Sequence, residues 1–174
     1  MGYTALNRRH PKMKIAVLGG GHGCYAAAAD LADAGHEVRL WRRNAGALQP
    51  LLDAGGRIVL KDAQGVREVP IARATARIDE ALVGAELIVI PSPAIAQADI
   101  AQAMAPSLRD GQVVFLPPGT FGSFAMAQIV RAAGHPAQVR WAETGTLPYL
   151  ARKHGPREVN VTIRAIHLPT GVYP

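Results

Sequence analysis

Four glycines crowd the five positions Gly19-Gly20-Gly21-His22-Gly23, and Cys24 follows them. In a G-x-G-x-x pattern each small residue has its own task. Gly19 permits a tight turn, Gly21 lets a diphosphate reach backbone amides, and a small residue at Cys24 lets a helix close on a sheet. Amides at a helix start are unpaired and carry about half a positive charge, so the run predicts binding of a pyrophosphate bridge. A glycine-rich turn without a ligand is the plainer alternative. Gly20 and Gly23 belong to the same cradle, and His22 either touches a phosphate or faces solvent. Cys24, the only cysteine, could be a nucleophile, but its place in the pattern asks for a packing residue.

One strand later the chain reads Trp41-Arg42-Arg43-Asn44. A carboxylate at this place takes the ribose 2′-hydroxyl of NAD, whereas arginine suits the 2′-phosphate of NADP. With two guanidiniums and no carboxylate, Arg42 and Arg43 predict NADP. NAD is the alternative if both are solvated surface arginines. Pro91-Ser92-Pro93 and Pro117-Pro118-Gly119-Thr120 each follow an apolar strand. They bring stiff backbone to the edge where a nicotinamide ribose would lie, or they only shape turns. Pro91, Ser92, Gly119 and Thr120 are therefore candidate cofactor contacts. Glu143, expected just past the sixth strand, is the one carboxylate at that edge. It orients a nicotinamide amide or a substrate amine, or else it caps a helix or forms a salt bridge.

These residues need a frame to hold them. Apolar runs of five or six residues alternate with helical patterns, which signals a parallel sheet with crossover helices. Strands are predicted over 14–18, 37–41, 72–75, 87–90, 112–116 and 138–141, and helices over 22–34, 45–54, 79–83, 95–104 and 121–133. A hairpin formed by 57–60 and 66–70 precedes the third sheet strand. Past Glu143 the segment 147–156, with two prolines and a glycine, reads as a loop. Residues 159–163 read as a strand, and no closing helix follows. The predicted fold class is α/β: a Rossmann-type, doubly wound, mostly parallel sheet with helices on both faces. Residues 1–12 read as a basic leader and 13–174 as the dinucleotide-binding domain.

Composition narrows the partners. A chain of 174 residues, 49% hydrophobic and 18% charged, suits a soluble globular domain. It can bury about 70% of its unfolded surface and needs no metal or disulfide staple. No stretch approaches the roughly 20 apolar residues of a membrane span. With one cysteine and no apolar segment behind the basic start, a cytoplasmic setting is expected. The net charge of +6 comes from 19 basic and 13 acidic residues. They are scattered, without an aromatic stacking strip, which argues against nucleic acid and for a small anion such as a dinucleotide or carboxylate.

On Gly19-Gly20-Gly21-His22-Gly23, on Pro118-Gly119-Thr120-Phe121-Gly122 and above all on Glu143-Thr144-Gly145-Thr146-Leu147-Pro148-Tyr149, the sequence resembles the opine (octopine/nopaline) dehydrogenases. More distantly it resembles glycerol-3-phosphate dehydrogenase and ketopantoate reductase. The resemblance implies reduction by a pyridine nucleotide of the imine formed from a 2-keto acid and an amino acid. It also implies that Glu143 lies near nicotinamide and substrate. Family members carry a second, helical domain with a histidine proton donor, and that domain is expected to be missing here. The chain is then a binding half without turnover, lacking that domain. A stand-alone dinucleotide-binding or regulatory module, forming a homodimer through the face where that domain would dock, is the alternative. A glycerol-3-phosphate or ketopantoate reductase would need a lysine at the site, for which Lys153 and Lys61 are the candidates.

Overall fold

The run Lys14–Leu18 forms β1, buried from Ile15 onward because neighbours cover both its faces. A computed structural model describes residues 11–174. The expected leader over 1–12 lies, but for Pro11 and Lys12, outside the described residues. β1 leads through the glycine loop into α1 (His22–Asp33), and β2 (Glu37–Trp41) returns parallel to it. A 3-10 turn and the short α2 (Gln49–Asp53) stand where one helix over 45–54 was expected. The hairpin β3 (Arg57–Asp62) and β4 (Gly65–Pro70) precedes β5 (Arg73–Thr75). Then come α3 (Ile78–Leu82), β6 (Leu87–Val89), α4 (Ala94–Met104), β7 (Val113–Leu116), α5 (Gly122–Ala132) and β8 (Arg140–Thr144).

The central sheet runs β5-β2-β1-β6-β7-β8, all parallel. This is the Rossmann order, with the switch point between β1 and β6. A seventh strand, β11 (Thr170–Tyr173), pairs antiparallel to β8. The sequence reading assigns no element to this last segment beyond the lack of a closing helix.

The larger correction concerns 147–156. This segment is not a loop but contains a strand, β9 (Tyr149–His154), which turns at Gly155 into β10 (Glu158–Arg164). β10 pairs parallel to β3, so the early hairpin and the late one fuse into a second sheet, β4-β3-β10-β9. Helix α1 lies between the two sheets. That position explains its composition: Cys24, Tyr25 and Ala26 to Ala29 are all buried, on every side of the helix. A helix covered all round shows no polar stripe, and alanine lets sheets approach closely on both sides. A second core, built from the other face of the central sheet, packs Ile88, Ile90, Val114 and Leu116 against α4 and α5.

Candidate functional site

The carboxyl ends of β1, β2 and β6 open on a cleft of about 430 Å³. Its floor is Gly19 to Gly21; one wall is Trp41 to Asn44, and the other is Ser92, Pro93 and the first turns of α4 with Asp99. Another hollow, about 250 Å³ beside His135 and Tyr173, lies at the opposite end of β8.

The floor is built by three unlike glycines. Gly19 has φ +128°, and a Cβ there would meet Ser92 Oγ at 2.5 Å and Cys24 Sγ at 2.6 Å. Its N–H donates to the Trp41 carbonyl at 2.9 Å, which ties the loop to β2. Gly20 lies beneath the side chain of Arg42. Gly21 faces open space: a Cβ there would meet nothing within 4 Å. Gly21 is also the N-cap of α1, and no side chain caps the helix. The first helical bond is Tyr25 N–H to the Gly21 carbonyl at 3.2 Å, so the N–H groups of His22, Gly23 and Cys24 have no helical partner. An open cradle at an uncapped helix start fits a diphosphate.

Two predicted contacts are placed under the floor. Cys24 is 1% exposed, with Sγ against the Leu18 and Pro91 carbonyls and Ser92 Oγ. Burial pushes its thiol pKa up, with Ser92 partly opposing. This is a packing residue, not a cleft contact or an activated nucleophile. Gly23 is buried against Leu147 and Pro91. Ser92 reaches the cleft while donating to the Leu18 carbonyl at 3.2 Å.

His22 is exposed at the start of α1, and its Nδ1 accepts the backbone N–H of Lys153 at 2.8 Å. Edge strand β9 thus touches the glycine loop across 131 residues. The Lys153 ammonium lies 4.3 Å from the centroid of the Tyr25 ring, and burial lowers its pKa, with Arg42 adding to the effect. The Tyr25 hydroxyl is buried without a hydrogen-bond partner among the described residues. Neither Lys153 nor Lys61, which is on β3, lines the cleft.

Arg42 and Arg43 both line it. Arg42 turns inward, with Nη1 donating to the Ala47 carbonyl at 3.0 Å. Arg43 crosses to Asp99, at 3.2 Å. Asp99 was not singled out by sequence; only its position on the helix after β6 hints at it.

At the end of β7 the loop from Pro117 to Phe121 contains a cis Pro117–Pro118 bond, and both Thr120 (φ 56°) and Phe121 (φ 62°) are left-handed. Glu143 holds this shape. It lies within β8 rather than after it, and its carboxylate accepts the N–H of Phe121 at 2.9 Å and of Ser123 at 2.8 Å. The helix-cap alternative is the one these bonds describe. Gln97 Nε2 donates to the Gly119 carbonyl at 3.1 Å, and a Cβ on Gly119 would run into Glu143. Gly119 is therefore packing and Thr120 is exposed.

The family of NAD-dependent glycerol-3-phosphate dehydrogenase N-termini matches residues 14–117. The chain belongs to that family. It is also similar to the opine dehydrogenase of Arthrobacter sp. (strain 1C), 35% identical over 148 residues, covering 84% of this chain and 40% of that protein. The chain thus spans well under half the length of this relative. The structure of octopine dehydrogenase in complex with NADH and agmatine superposes with a TM-score of 0.79 at 26% identity, over 93% of this chain and 42% of that one. Yersinopine dehydrogenase with NADP+ bound shares the fold, with a TM-score of 0.70 at 16% identity over 91% of this chain and 41% of that one. Like these proteins, the family member described here has a dinucleotide-binding fold. Among the described residues no helix is long and apolar enough to cross a membrane.

Proposed function

We propose that this chain binds NADPH in preference to NADH, as the cofactor domain of a cytoplasmic opine-type oxidoreductase. The substrate would be the imine of a 2-keto acid and an amino acid. The observation that carries the reading is the open space above Gly21 at the uncapped start of α1, with Arg42 and Arg43 on the same cleft. A bound nicotinamide supplies hydride chemistry. The residues here bind and orient. The free amides of the α1 start meet the pyrophosphate and the two arginines meet the adenosine end. Ser92 and the Thr120 loop border the nicotinamide end. Glu143 shapes that loop instead of offering a free carboxylate.

The 35% identity to an opine dehydrogenase supports the opine class over the glycerol-3-phosphate one. Parallel calorimetric titrations test the binding. NADPH should be preferred at least tenfold, about 1.4 kcal/mol, and replacing Arg42 and Arg43 by alanine should remove the preference. No heat with either nucleotide overturns the reading.

A further inference from the structure

The end of β2 lacks a carboxylate, yet the cleft has one. Asp99 stands on α4, across from Arg43, and accepts from both Nη1 and Nη2 of that arginine at Oδ2, each at 3.2 Å. The side chains are 64% and 60% exposed, so the pair spans the solvent mouth and not the floor. Arg42 is held differently, against the Ala47 carbonyl and over Gly20. Arg43 is thus the outer guanidinium, and its charge is already matched. An exposed pair of this kind opens at little cost, so a ligand can displace it. What matters is which ligand gains by doing so. A 2′-phosphate placed beside Arg43 brings negative charge up to the Asp99 carboxylate, and like charges repel. A neutral 2′-hydroxyl meets no such repulsion and can donate to a carboxylate.

We propose that Asp99 is a specificity-determining residue of the dinucleotide site: by holding Arg43 across the cleft it opposes a 2′-phosphate and tolerates a 2′-hydroxyl. It supplies from α4 the carboxylate missing at the end of β2, and it limits the preference for NADPH. This inference rests on the dinucleotide reading above, and the experiment separates the two. Full-length chain is titrated with NADPH and NADH as wild type, Asp99→Asn, Asp99→Glu and Asp99→Lys, with thermal melts as a folding control. Asp99→Asn should tighten NADPH about tenfold and NADH by less than about threefold, with Asp99→Lys going further in the same direction. Asp99→Glu should keep the wild-type ratio. In an Arg43→Ala background the gain should shrink, because the freed guanidinium is part of it. An unchanged NADPH-to-NADH ratio in both Asp99→Asn and Asp99→Lys, with the wild type still binding, overturns this inference alone. A wild type that binds neither nucleotide overturns the dinucleotide reading and this inference with it.

Discussion

Gly19 and Gly21 stand two residues apart and are glycine for different reasons. Gly19 is left-handed and walled in by Ser92 and Cys24; Gly21 has ordinary backbone and empty space above it. Gly19→Ala combines backbone strain with overpacking and should cost about 2–5 kcal/mol in urea unfolding. Gly21→Ala should leave stability within about 1 kcal/mol and weaken nucleotide binding at least tenfold, about 1.4 kcal/mol. Equal stability losses in the two variants would refute this division. The tight turn at Gly19 and the unobstructed position at Gly21 were legible because each follows from spacing within one short turn. The partner of Arg43 was not, since Asp99 lies 56 positions away and only packing brings it across the cleft.

Among the elements, the loop from β7 to α5 shows how a strand can shape a neighbouring helix start. Thr120 and Phe121 occupy a left-handed region that favours glycine, and both oxygens of Glu143 accept N–H groups at the helix start. Glu143→Gln keeps the size but leaves one oxygen and no charge for two donors. Its expected cost is about 1–2 kcal/mol in denaturant unfolding. A variant as stable as wild type would show that the bonds do not hold the loop. The central strands were readable because both faces are buried and the runs are apolar throughout. β9 was not: only Ala151 is fully buried in it, and prolines at 148 and 156 flank it. Burial alternates along it but residue type does not, since Leu150 faces out and Lys153 faces in, so its hydropathy shows no strand period.

For the whole molecule, the second sheet is fastened to α1 by charge. Asp62, whose side chain is 1% exposed, is bound by Arg67 at 2.9 Å and Arg164 at 2.7 Å. Those arginines also hold Asp33 and Asp30 of α1, and Tyr149 of β9 donates to Asp30 at 3.1 Å. Arg67 first, and Arg164 after it, hold the Asp62 carboxyl well below the usual carboxylate range. A depressed folded pKa gives stability that is complete above the unfolded value of about 3.9 and is lost as pH falls below it. Asp62→Asn should therefore cost on the order of 2 kcal/mol at neutral pH, with the gap to wild type closing below about pH 4. A gap that is constant with pH would refute the charge argument. The sequence by itself determined the parallel core and the glycine turn that opens α1, because strand burial and a tight turn are set by residues close along the chain. Only tertiary structure decided the second sheet, the His22–Lys153 link, the Glu143 cap and the Arg43–Asp99 bridge. Each joins side chains or edge strands far apart in sequence, and the local pattern around each is equally compatible with a solvated surface.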